Sequence, residues 1–173
     1  MSRAFVKEDA PDGVVYISPR APLPAGAVNF VTPRGLALLQ TEMEELETER
    51  ERLKKGDKES ADRNRALTIV RGRITDLQSR IIGAKLVRAE DQPPSEVRFG
   101  ATVTIKTLKG RKVGFTRTFT LVGVDESDPA NMRVAYIAPI ARALIGLSLG
   151  ETATQLMGGI EETLEVTSIA YHE

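Results

Sequence analysis

The chain has 173 residues with 24 basic and 24 acidic side chains, 41% hydrophobic and only 5% aromatic, without tryptophan. The length suits one domain or two small ones, and the zero net charge argues against a general electrostatic footprint for nucleic acid or membrane. Cysteine is absent and His172 is the single histidine, which removes disulfides, thiolate zinc sites and thiol catalysis, and leaves little room for histidine-ligated metals or a Ser-His-Asp triad. No apolar run reaches membrane-spanning length and no signal pattern opens the chain, so a cytoplasmic protein is expected.

Residues 1–31 read as a proline-rich extended arm. Pro11, Pro19, Pro22 and Pro24 remove donors and bias their predecessors to extended backbone. Val14 to Ile17 offers one short edge strand.

Thr32-Pro33 is a helix start, a hydroxyl cap followed by proline at the first helical position. From there Leu36, Leu39, Met43, Leu46, Arg50 and Leu53 recur at 3,4 spacing, and Leu67, Val70, Ile74, Leu77, Ile81 and Ala84 repeat it. The two stripes mirror each other about residue 60, as the arms of an antiparallel hairpin must. Residues 32–90 are therefore assigned to an antiparallel α-helical coiled-coil hairpin with its turn near 56–63, where Gly56, Asp57, Ser60 and Asn64 supply turn chemistry. An arm of roughly 24 residues projects that turn about 35 Å. Residues 42–51 hold six glutamates and residues 63–88 six arginines and Lys85. The mirror relation brings Glu49 level with Arg71 and Glu47 level with Arg73. An intermolecular coiled coil is the alternative, and the short turn and opposite arm charges favour the intramolecular hairpin and a monomer.

Arg50 interrupts the apolar stripe and is read as extending its head to water along its stem. Residues 91–97 read as a linker. Beyond them the period becomes alternating, with strand-like runs around Val103 and Ile105, Phe115 to Leu121, Val134 and Tyr136, and Leu164 to Ile169. Pro139 to Leu144 reads as a short helix. The fold class is thus α+β, with residues 98–173 forming a small, mostly antiparallel sheet crossed by one helix.

The turn carries Asp57, Glu59 and Asp62. Clustered carboxylates of this kind can complete the shell of a magnesium ion held by another macromolecule, because magnesium takes few protein ligands; solvated turn residues are the plain alternative. Arg63 and Arg65 lie near the tip and are candidates for gripping RNA phosphates, against simple pairing with glutamates of the first arm. His172 is assigned no function.

Three segments in order, Phe99-Gly100-Ala101-Thr102-Val103-Thr104, Leu121-Val122-Gly123-Val124-Asp125-Glu126 and Ala138-Pro139-Ile140-Ala141-Arg142-Ala143-Leu144-Ile145-Gly146, resemble the bacterial Gre transcript-cleavage factors. Thr32-Pro33-Arg34-Gly35 resembles the start of that family's first helix, and Gly72-Arg73-Ile74 and Lys85-Leu86 its returning helix. The resemblance implies an FKBP-like second domain that docks on bacterial RNA polymerase through a surface near Pro139 and Arg142, while the coiled coil enters the secondary channel. It implies that Asp57 and Glu59 are donated to a magnesium ion shared with the polymerase, with Asp62 as support, and that backtracked RNA is then cleaved at its 3′ end. On the same resemblance the chain is expected to have no intrinsic cofactor, to be no enzyme on its own and not to bind DNA directly.

The tip departs from the family pattern. One residue is missing between the two acids, Ser60 stands for Asn and Arg63 for Tyr, and the first arm is about nine residues shorter by count from the helix start. A non-cleaving occupant of the channel, which inhibits transcription or competes with cleavage factors, is the alternative this raises. A peptidyl-prolyl isomerase is a more distant one, because fold does not establish function.

Overall fold

Thr32 begins the hairpin as its sequence requires. Its backbone is extended, its hydroxyl accepts a hydrogen bond from the Gly35 amide, and Pro33 opens helix α1 at Pro33–Lys54. Helix α2, Ala61–Ile82, returns antiparallel to it, capped by the Ser60 hydroxyl. The computed structural model describes residues 20–56 and 60–172. The expected strand at Val14 to Ile17 lies outside those residues.

The apolar stripes pack on each other. Leu39, Leu46, Val70, Ile74 and Leu77 are buried together with Val31, and Leu36, Met43, Leu53, Ile81 and Ala84 pack at the margin. Leu77 has no exposed surface, while Leu53 near the turn is half-buried. Each arm holds 22 residues, which gives the hairpin a length of about 33 Å.

The charge pairing across the arms differs from the expected one. Glu49 binds Arg52 of its own helix at 2.6 Å, and Arg73 approaches Glu42 at 3.8 Å. Equal height along the hairpin does not bring two outward-facing side chains together. A partner three residues away on the same helix face is closer.

The end of α2 also needs correction. Ala84 and the Lys85-Leu86 pair, expected to be helical, lie in strand β2 (Ala84–Leu86), which runs parallel to β1 (Asn29–Val31) with Phe30 opposite Lys85. Gly83 caps the helix, and Asn29 donates its side-chain amide to the Arg80 carbonyl in the last turn. Backbone pairing with β1 replaces another helical turn.

The second half is a five-stranded sheet in the order β5-β4-β3-β7-β6. Its strands are β3 (Ala101–Lys109), β4 (Thr116–Val122), β5 (Arg133–Ala135), β6 (Thr152–Met157) and β7 (Ile160–Tyr171). All neighbouring pairs are antiparallel except β4 with β5. Register shifts between β3 and β7 accompany the curl of the sheet. Helix α3, Pro139–Leu144, forms where proline predicted it, with Ala141 and Leu144 turned inward. They join Val103, Ile105, Phe119, Leu121, Leu164 and Val166 in the core.

Three details of this half differ from the sequence expectation. Val97, placed in the linker, is fully buried in that core. Phe115 precedes β4 and is exposed, with Lys112 over its ring. Strand β6 went unrecognised because Thr152 to Met157 lies at the sheet edge and is largely exposed. Its signal was the turn that follows: Gly158 and Gly159 both have positive φ, 55° and 79°, as a two-residue hairpin turn demands.

Candidate functional site

The tip is built from the ends of the two helices. Lys55 closes α1 by donating its amide to the Glu51 carbonyl at 3.1 Å. Across the turn, the Ser60 hydroxyl accepts from the Arg63 amide at 3.1 Å, and the Arg63 guanidinium donates to the Gly56 carbonyl at 2.5 Å. Arg63 therefore ties the start of one helix to the end of the other. Asp62 is exposed in the first turn of α2, where the helix dipole favours a carboxylate. Arg65 is exposed on the same arm. Asp57 and Glu59 lie outside the described residues. Among the described residues, no group of three or more histidine, aspartate or glutamate side chains gathers in a way that could hold a metal ion.

Pro139 and Arg142 sit far along the chain from the tip, on the exposed side of α3. A shallow groove beside them is lined by Pro24 to Ala27, Tyr136, Ile137, Arg142 and Ile145. The structure thus divides the predicted residues into two sets, one at the hairpin turn and one on the sheet half.

What joins the two sets was not anticipated. Glu126, in the helical turn Val124–Glu126 after β4, has a side chain only 1% exposed. Its carboxylate accepts from the Thr32 hydroxyl at 2.5 Å, from Arg34 at 3.2 Å and from Arg133 at 2.9 Å. One buried acid so links the first turn of α1 to the sheet. A buried charge requires such compensation. The glycines also admit close approach: a Cβ on Gly35 would lie 2.8 Å from the side-chain oxygen Oε2 of Glu126, and one on Gly123 would lie 2.7 Å from the backbone carbonyl of Phe30. Phe30, Phe99 and Tyr136 complete the joint, with all three ring pairs 5.5–5.6 Å apart. The Tyr136 hydroxyl donates to the Val28 carbonyl, and burial pushes its pKa up.

The segments that carried the family resemblance thereby acquire a physical meaning. Thr32-Pro33-Arg34-Gly35 and Gly123-Val124-Asp125-Glu126 are the two faces of one joint. An acidic pair at the end of an apolar strand, with glycine just before it, was the available signal.

These features define a two-part protein: a helical hairpin held at its root against a sheet, with its tip carried away from both. A family model described as transcription elongation factor, GreA/GreB, C-terminal, matches residues 92–171. Transcription elongation factor GreA of Bacillus cereus is 33% identical over 152 residues, covering 80% of this chain and 94% of that protein. GreA of Ralstonia nicotianae is 31% identical over 156 residues, covering 82% and 96%. Among solved structures, a GreA/GreB elongation factor from Nitrosomonas europaea aligns over 84% of this chain and 99% of its own at 18% identity and a TM-score of 0.41. GreA factor homolog 1 of Thermus thermophilus aligns over 83% and 98% at 14% identity and a TM-score of 0.38. The chain belongs to the GreA/GreB family of transcription elongation factors.

Proposed function

We propose that this chain binds bacterial RNA polymerase, enters its secondary channel with the hairpin and stimulates cleavage of backtracked RNA. The observation that carries the reading is the hairpin itself, two 22-residue helices rooted by the buried Glu126 to a sheet. Such a device holds a few tip residues at a fixed distance from an anchoring body. The sheet half is read as an FKBP-like docking domain, with the exposed Pro139 and Arg142 on its contact surface.

The tip supplies hard oxygen donors, which suit magnesium. Asp57 and Glu59 would hold the ion jointly with the polymerase, with Asp62 in support; the ion, when bound, activates water and offsets charge on the phosphodiester. Two or three carboxylates on a turn do not fix a reactive water without further ligands, so the chain is read as no enzyme on its own. Arg65, exposed on the second arm, is read as the residue that meets RNA phosphate. Arg63 is a weaker candidate, since its guanidinium is already bonded across the turn.

A prolyl isomerase would need an aromatic-lined pocket. Of the aromatic residues in that half, Phe99 and Tyr136 pack in the joint, Phe119 lies in the core and Phe115 is exposed. The Tyr171 hydroxyl donates to the Glu96 carbonyl. Tyr136 lines the shallow groove beside Arg142, and one ring there does not make the aromatic-lined pocket that such chemistry needs.

The test is transcript cleavage in a defined backtracked complex of the cognate polymerase with magnesium. Wild type should cleave, and Asp57→Asn with Glu59→Gln should lower the rate on the order of a hundredfold or more while binding persists. Binding without cleavage by wild type, together with competition against an authentic cleavage factor, would make the chain a channel-occupying regulator instead.

A further inference from the structure

The root of the hairpin has a second fastening, made by chain that precedes β1. Arg20 donates from Nη1 to Asp125 Oδ1 at 2.9 Å and from Nη2 to Glu42 Oε2 at 2.6 Å. The two carboxylates belong to different halves of the molecule, Asp125 to the turn after β4 and Glu42 to α1. A guanidinium presents its donors as a rigid fork and can bridge two acids at once.

The bridge continues on both sides. Asp125 Oδ2 lies 3.4 Å from Arg80 Nε on α2, and Glu42 Oε1 lies 3.8 Å from Arg73 on the same helix. Arg80 also donates to the Ala21 carbonyl, and Tyr136 donates to that of Val28. Residues 20–28 are thus tied to both helices and to the sheet half. The Asp125 and Arg80 side chains are each only 9% exposed, and that of Arg20 is 22% exposed. This is not the freely solvated pair whose contribution is negligible. Burial opposes the Arg20 charge, but its bonds to Glu42 and Asp125 overcompensate and raise its pKa.

Position along the helix gives this network its consequence. Glu126 holds α1 at Thr32 and Arg34, its first turn, and one anchored end is a pivot. Glu42 lies about 14 Å further along the helix axis. A second fixed point at that distance sets the angle. For a hairpin about 33 Å long, a swing of about 10° displaces the tip by about 6 Å, more than the reach of a metal–ligand bond.

We propose that residues 20–28 act as a stay that fixes the angle of the hairpin to the sheet, and that Arg20 is its positioning residue. Its effect on transcript cleavage rests on the reading above, but the angle is a property of the free protein and is measured there.

Because the chain has no cysteine, Thr68→Cys on α2 and Thr154→Cys on β6, both at exposed positions, permit site-specific spin labels. Pulsed dipolar spectroscopy on the full chain then reads the distance between hairpin and sheet. The parent pair should give one narrow distribution. Arg20→Ala should at least double its width or shift its centre with helix content unchanged by circular dichroism, and Glu42→Gln should do likewise. Arg20→Lys should fall between, since an ammonium cannot bridge both acids as a fork. An unchanged distribution in Arg20→Ala would overturn the proposal, and so would loss of helix content, because the role would then lie in folding. Failure to bind polymerase would leave this measurement untouched.

Discussion

The two ends of the hairpin are built on opposite principles. At the root, charges are buried and compensated, glycines admit backbone to within van der Waals contact, and three aromatic rings pack together. At the tip the Ser60 cap and the bond from Arg63 to the Gly56 carbonyl are both exposed to solvent. The root determines where the tip is. The tip carries the residue types through which chemistry would be done. On the proposed reading, a change of sequence at the tip would alter chemistry at little structural cost, whereas a change at the root would alter the fold or the aim.

The largest test of that contrast lies within the apolar stripe. Leu77 is fully buried near the root and Leu53 is half-buried near the turn. Leu77→Ala should cost about 3 kcal/mol, through lost burial and the cavity left behind, and Leu53→Ala about 1 kcal/mol because less surface returns to water. Denaturant unfolding of the two variants checks this. Equal losses would show that packing is uniform along the hairpin and that the contrast between its ends is confined to charges.

Gly123 tests the joint itself. A Cβ there would lie 2.7 Å from the Phe30 carbonyl oxygen, a backbone atom that cannot rotate away. Gly123→Ala should therefore cost about 2 kcal/mol, less than the core deletion because the strand can yield slightly. Thermal unfolding measures the loss. A control at Gly26, where nothing lies within 4 Å but φ is +78°, separates crowding from backbone strain: its cost, about 1 kcal/mol, comes from the left-handed conformation alone.

How far the sequence disclosed this design follows the same division. The hairpin was legible because a 3,4 repeat is a one-dimensional record of a helix face, and mirror symmetry between two such records is the geometry of antiparallel packing. Thr32-Pro33 and Pro139 were legible because capping is local. The joint was not. Glu126 is bonded by Thr32 and Arg34, 94 and 92 positions away along the chain, and Asp125 by Arg20, 105 positions away, so the acidic pair after the apolar strand marked a place in the sequence without showing what buries it. The same is true of Arg20, which sits in a stretch where proline content suggested only an extended arm. Strand β6 was hidden for a different reason: an edge strand buries too little to impose alternation, and its mark was the Gly158-Gly159 turn. At the candidate site, Asp62, Arg63 and Arg65 were placed near the tip from sequence, but the use of Arg63 to close the turn was not foreseeable from its charge.

An effect no larger than that of Leu53→Ala is expected at the tip. The Ser60 hydroxyl satisfies the Arg63 amide, one of the donors that a helix start leaves without an intrahelical partner. Ser60→Ala removes that acceptor and should cost about 1 kcal/mol, seen as faster hydrogen exchange in the first turn of α2 with the root unaffected. Ser60→Asp restores an acceptor and adds a negative charge where the helix dipole favours one, so it should recover most of the loss. The pair of variants also separates order from chemistry. If transcript cleavage falls in Ser60→Ala and returns in Ser60→Asp, it depends on how firmly the turn is held. If cleavage is the same in both while exchange differs, the carboxylates tolerate a frayed helix start, and positioning of the tip is governed from the root alone.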